Sequence, residues 1–162
     1  MAVPVTMSTG EDTAGDAAGL YLLCRIDGRP YALPAAAVER ILPLAAPMAL
    51  PDAPPGVLGA LDYRGALLAV VDPRPHLGSP VAPLAPEQHL VVLAARTRYL
   101  LRVDRAERIV ALAAERVAAL ASPADRPLLS AVARLDGEPV PVLAPDALDP
   151  GPLVRGREDG RR

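Results

Sequence analysis

Two Asp-Gly dipeptides, Asp27-Gly28 and Asp136-Gly137, each lie between short apolar runs, and nothing else in the chain constrains its fold as much. A two-residue turn of type I′ needs positive φ at both central positions, which Asp and Gly accept and most residues resist. Each dipeptide therefore predicts a tight β-hairpin. One joins residues 20–26 to 29–33, and the other joins residues 128–135 to 138–143. Further short apolar runs at 57–61, 66–71, 89–94 and 99–103 predict more strands, with bends around Tyr63-Arg64-Gly65 and Arg96-Thr97-Arg98. Many short strands divided by turn signals, without regular βα alternation, indicate an all-β sandwich or a pair of small barrels.

Proline places the connections. The chain holds 20 prolines, and at 43–55 and 72–86 they recur too often for any regular element. Residues 34–41 are Ala-rich and open on Pro34, which suits the first turn of a short helix. Residues 105–121 carry mixed signals, and are divided into a strand to Leu112 and a short helical turn from Ala113 to Leu120. Pro139 and Pro141 remove backbone donors on one side of the last strand, which predicts a sheet edge there. The phrase Val70-Val71-Asp72-Pro73 is echoed by Val142-Leu143-Ala144-Pro145, a hint of two similar subdomains. Residues 1–18 are small and polar and are expected to form a disordered leader, 19–150 the folded domain, and 151–162 a flexible charged tail.

Composition narrows the function. With no Trp or Phe and four Tyr, the core has to be Leu, Val and Ala. A net charge of −2 argues against nucleic acid as partner. No apolar run approaches the ~20 residues of a spanning helix, and the acidic N-terminus is unlike a secretory signal. A cytoplasmic location is expected. Catalytic chemistry is sparse: the only histidines are His76 and His89, and Cys24 lies within an apolar strand. No metal-ligand spacing, phosphate loop or nucleophile elbow is found, so no catalytic residue, metal or cofactor is assigned. The charges of residues 105–116 are read as a solvated face, and the tail arginines as a disordered extension.

One constellation departs from simple packing. Asp62-Tyr63-Arg64-Gly65 places a charged Arg at a tight turn between two apolar strands, where a rigid scaffold would hold it for binding. Together with Asp72-Pro73-Arg74 and Gly78, this segment resembles the signature of the CheW family of chemotaxis adaptors. The resemblance extends in order through Val38-Glu39-Arg40-Ile41, the stretch from Tyr99 to Asp104, and the closing hairpin at Leu135-Asp136-Gly137. Asp62, Ala69, Pro73, Arg40 and Tyr99 depart from the family's usual residues.

The resemblance implies two five-stranded SH3-like β-barrels with short helical turns, packed on a shared apolar seam. It also implies a non-enzymatic adaptor that couples the cytoplasmic tip of a chemoreceptor to the regulatory domain of a CheA-like histidine kinase, recruited to membrane-associated arrays without inserting in the membrane. Carried over, Val38, Ile41, Leu61, Asp62, Arg64 and Gly65 would contact the receptor, with Pro54 and Pro55 shaping the groove wall. Kinase contacts are not assigned. A regulator of another chemosensory-type pathway, such as pilus motility, and a small-molecule-binding barrel remain open as alternatives.

Overall fold

The computed structural model describes residues 6–8, by backbone alone, and residues 19–120 and 128–153. Twelve strands dominate: β1 (Thr6–Ser8), β2 (Gly19–Ile26), β3 (Arg29–Pro34), β4 (Val38–Pro43), β5 (Val57–Tyr63), β6 (Ala66–Val71), β7 (His89–Ala94), β8 (Arg98–Val103), β9 (Arg105–Leu112), β10 (Val117–Ala119), β11 (Leu129–Leu135) and β12 (Glu138–Leu143). Among the described residues, helical structure is limited to 3₁₀ turns at Ala35–Ala37, Arg74–Leu77 and Ala114–Arg116, and to one α-turn, α1 (Pro145–Leu148).

The strands form a five-stranded sheet, β4-β7-β8-β6-β5, and a seven-stranded sheet, β1-β9-β2-β3-β12-β11-β10. Within the larger sheet, β9-β2-β3-β12-β11 repeats the smaller sheet strand for strand. In both, a central hairpin (β7–β8 or β2–β3) pairs antiparallel with one lone strand (β4 or β9). On its other side it pairs parallel with a second hairpin (β6–β5 or β12–β11). The echo between Val70-Val71-Asp72-Pro73 and Val142-Leu143-Ala144-Pro145 falls at equivalent places. Each closes the parallel strand and leads into a helical turn.

The chain builds these sheets by insertion, the smaller one being made of the consecutive strands β4 to β8 set between β3 and β9 of the larger. The β2–β3 hairpin is completed by β9, β11 and β12 from the far half, while β4, β5 and β6 complete their sheet around β7–β8. The central hairpins are consequently buried on both faces, which is why they read as continuous apolar runs. Leu22, Cys24, Ile26, Leu33 and Ile41 meet Val91, Leu93, Tyr99, Leu101 and Val103 in a seam between the sheets. The alternate residues fill the two barrel interiors, Leu23 with Val110, Ala133 and Val142, and Leu90 and Val92 with Leu68, Val70 and Leu100. Full burial of each Leu, Val or Ile contributes about 1.5–3 kcal/mol.

Both Asp-Gly turns have the expected backbone: φ is 55° and 74° at Asp27 and Gly28, and 54° and 79° at Asp136 and Gly137. Elsewhere the structure departs from expectation. The helical turn after Pro34 is only three residues long, and Val38 and Ile41 belong to strand β4 because β-branched side chains there pack against the seam. Likewise the turn expected from Ala113 to Leu120 stops at Arg116, and β10 then pairs with β11. Strand β12 is no edge, since it lies between β3 and β11. The prolines still act as the argument required. Leu135 and Glu138 close the two-residue turn, so alternation points positions 139 and 141 away from β11 and towards β3, where a single bridge, Val142 to Ala32, joins the strands. Thr6–Ser8, within the leader expected to be unstructured, runs parallel to Arg108–Val110 of β9. The rest of the leader and the tail beyond residue 153 lie outside the described residues.

Candidate protein-interaction site

Strands β5 and β6 meet in a third turn of the same type, with φ of 54° at Arg64 and 86° at Gly65. The sequence shows why it forms. Gly65 takes the left-handed position freely, and the Asp62 carboxylate accepts a hydrogen bond from the Gly65 N–H at 3.0 Å. Arg64 has no such freedom, and a left-handed conformation costs an L-residue about 1–2 kcal/mol. Its guanidinium lies 5.3 Å from the centre of the Tyr63 ring, a cation–π contact that holds the exposed side chain at the tip.

Behind this turn, the barrel is closed by a backbone approach. Met48 and Ala60 exchange hydrogen bonds of 2.8 and 2.9 Å, and Gly59 makes room for them. A Cβ on Gly59 would stand 2.2 Å from the Met48 carbonyl oxygen.

At the other end of the same sheet lies a buried ionic cluster. Asp72 and Arg102 are fully buried and Arg74 is 2% exposed. Arg102 donates to Asp72 at 3.0 Å, to Gln88 Oε1 at 3.0 Å and to the Pro83 carbonyl at 2.6 Å. Arg74 donates to Asp72 at 3.1 Å, to Asp27 at 2.8 Å and to Asp104. Asp104 in turn accepts from the Asp27 N–H at 2.7 Å. The cluster thus ties the β2–β3 turn of one sheet to the end of β6, to β8 and to the β8–β9 joint. Burial works to raise the pKa of Asp27, but the hydrogen bonds and charge of Arg74 outweigh it and hold the carboxyl below 3.8. Burial likewise opposes the charge on Arg74, and its three acidic partners raise its pKa nonetheless.

The family model for the CheW-like domain matches residues 20–149. The chain belongs to the CheW-like family. Its fold is similar to that of the scaffolding protein TtCheW from Thermoanaerobacter tengcongensis, at a TM-score of 0.73 and 13% identity, over 79% of this chain and 90% of that one. No curated protein matches the chain by sequence. CheW-like proteins are scaffolding adaptors, and the two-subdomain β architecture inferred from the resemblance is the one observed.

Within this CheW-like fold Val38, Leu61, Asp62, Arg64 and Gly65 lie towards one end of the five-stranded sheet. Val38 is opposite Leu93, which is opposite Tyr99, while β6 runs parallel to β8 with Val70 beside Leu100. This register projects the Arg64-Gly65 turn past the same end as the β7–β8 turn. Val38 and Ile41 nevertheless lie on β4, at the opposite margin of the sheet from Leu61, Asp62 and Arg64. Their accessibility differs too. Ile41 is 3% exposed and committed to the seam, so it has no surface to offer a partner. Val38 is half-buried against that seam, and Leu61 half-buried against the barrel interior. Asp62, Arg64 and Gly65 are exposed; Pro54 and Pro55 are exposed too, but they precede β5 at the opposite end of the sheet and do not flank the Arg64 turn. Glu39, beside Val38, pairs with Arg98 at 3.3 Å.

The ionic cluster was not anticipated. Its signal was present in Leu100-Leu101-Arg102-Val103, because an Arg inside an apolar run on a strand buried on both faces has no solvent side and needs an internal carboxylate.

Proposed function

We propose that this CheW-like chain is a non-catalytic adaptor that couples the cytoplasmic tip of a chemoreceptor to the regulatory domain of a CheA-like histidine kinase. The observation that carries this reading is the Arg64 turn. An exposed guanidinium is held in a strained backbone at the tip of a rigid hairpin, with the half-buried Leu61 beside it. Strain kept at an exposed position needs a use outside the fold, and Arg is enriched among the residues that dominate interfaces. Asp62 and Gly65 set the turn, and Val38 supplies apolar surface at the same end of the sheet. Ile41 supports that surface from beneath.

On this reading the protein transmits signal by holding receptor and kinase in one assembly, and it reaches the membrane by recruitment to receptors. No helix among the described residues is long and apolar enough to cross a membrane. The test is a pull-down against a receptor-tip fragment. Arg64→Glu should abolish capture while leaving the circular-dichroism melt nearly unchanged, and undiminished capture would remove Arg64 from the interface.

A further inference from the structure

A second surface lies at the opposite pole from Arg64, where His89 opens β7, β2 ends and β9 begins. There Arg25, Arg105 and Arg108 line an open cleft of about 790 Å³ together with Glu87, His89 and Glu107. Register places Arg25 directly opposite Arg105, a like-charge pair that costs stability in a sheet unless something neutralises it. Glu107 answers only half of that repulsion, pairing with Arg25 at 3.2 Å. Among the described residues, Arg105 and Arg108 have no ion-pair partner.

His89 adds a donor. Its Nδ1 accepts the Ala106 N–H at 2.9 Å, so the neutral ring carries its proton on Nε2. The walls are fixed from behind: Gln88 and Asp104, the chain neighbours of His89 and Arg105, both belong to the buried ionic cluster. A converging set of cationic and N–H donors on an immobile base suits carboxylates, which Arg binds through paired hydrogen bonds. The two glutamates in the walls and the chain's net charge of −2 disfavour a polyphosphate backbone.

We propose that this cleft docks an acidic segment of a protein partner, seating its Asp or Glu carboxylates on Arg105 and Arg108, at a site separate from the Arg64 turn. An adaptor needs two such surfaces that do not overlap; the Arg64 turn belongs to the five-stranded sheet, and the arginines of the cleft to β2 and β9 of the seven-stranded one. The test titrates the full chain, at low salt, with a labelled Glu-rich peptide, its Gln counterpart and an oligothymidylate, following amide chemical shifts. The Glu peptide should shift Arg25, His89 and residues 105–108, with the Gln peptide about tenfold weaker or worse. Arg105→Gln with Arg108→Gln should weaken the Glu peptide to the same degree at a melting temperature no lower than that of the unaltered chain, and Arg64→Glu should leave it unaffected. Arg25→Gln, which leaves Glu107 unpaired, provides a second variant should the double one unfold. Equal binding of the two peptides, or undiminished binding by the folded variants, would overturn the proposal. Tighter binding of the oligonucleotide would replace the protein partner with a nucleic acid. A gain in peptide affinity on neutralising Glu11, Asp12 and Asp16 would make the chain's own leader the occupant.

Discussion

Replacing Arg102 with Met removes a buried cation at little change in volume and leaves its partners in place. Asp72 loses the 3.0 Å contact to Arg102 but keeps Arg74, whose side chain and backbone N–H stand at 3.1 and 3.0 Å. The cluster drops from two arginines facing Asp27, Asp72 and Asp104 to one, the Pro83 carbonyl loses its donor, and Gln88 Oε1 keeps only the Ala85 N–H at 3.3 Å. Breaking a buried pair by removing one member costs about 3–5 kcal/mol, and the surviving Arg74 contacts put this case near the lower figure, about 3 kcal/mol. For a domain of this size that corresponds to a fall in melting temperature of roughly 6–12 °C.

Urea titrations at pH 7 followed by circular dichroism should show a lower midpoint at an unchanged slope. Asp72→Asn should cost a similar amount, since it leaves Arg102 without a carboxylate and takes one of three from Arg74. The double variant should cost less than the sum of the two, by about 1–3 kcal/mol of coupling. A loss below about 1 kcal/mol for Arg102→Met, or strictly additive effects, would refute the view that this cluster is a closed electrostatic unit.

Gly59→Ala should destabilise by about 2–3 kcal/mol, because its Cβ would run into the Met48 carbonyl and part the barrel's closing bridge; thermal melts measure it. Asp149, despite partial burial, is held below 3.8 by hydrogen bonds from Thr97 and Gly151, and Asp27 is held down by Arg74. Their stabilisation is complete above pH 3.8 and is lost as pH falls through the lowered folded values, so Asp149→Asn should flatten the acid limb of a stability–pH curve. Burial pushes the Cys24 thiol up to about 12, with Glu107 and Asp104 adding to it. A thiol reagent at neutral pH should therefore label the native protein only at its global unfolding rate, and faster labelling would reveal local opening of β2. Burial, with Arg105 nearby, lowers the pKa of His89, so stability should decline as pH falls below 6.5, and His89→Gln should remove that slope.

The hairpins were legible because their turn chemistry is local: Asp27-Gly28 and Asp136-Gly137 specify their backbone without reference to the rest of the chain. Residues 66–71 and 89–94 were legible for a related reason, as short β-branched runs bounded by Pro or charge. What local signals could not carry was partnership. Nothing in Val38-Glu39-Arg40-Ile41 indicates that its ladder partner is the distant β7, and the contact role that the resemblance implies for Ile41 takes no account of its packing in the seam. The position of β12 was misjudged similarly, because Pro139 and Pro141 mark a side that bonds poorly, and a poorly bonded side can still face a neighbour through one bridge. At the Arg64 turn the sequence indicated the hairpin and the freedom of Gly65, but not that Arg64 itself is left-handed. That follows only once the two-residue loop is known to be of type I′.

The insertion of the smaller sheet between strands of the larger also bears on the order of synthesis. When the β2–β3 hairpin leaves the ribosome, the strands that flank it, β9 and β12, have not yet been made, and pairs such as Arg25 with Glu107 are separated by 82 positions. The smaller sheet is complete once Val103 has emerged, but the larger one cannot close before β12, and until Val103 emerges apolar faces such as Leu22, Cys24 and Ile26 lack their native partners across the seam. Completion of the larger sheet therefore comes late, since loop closure over such spans precedes any reward in contacts. A nascent chain with these faces uncovered is a ready client for a chaperone that binds short apolar strands.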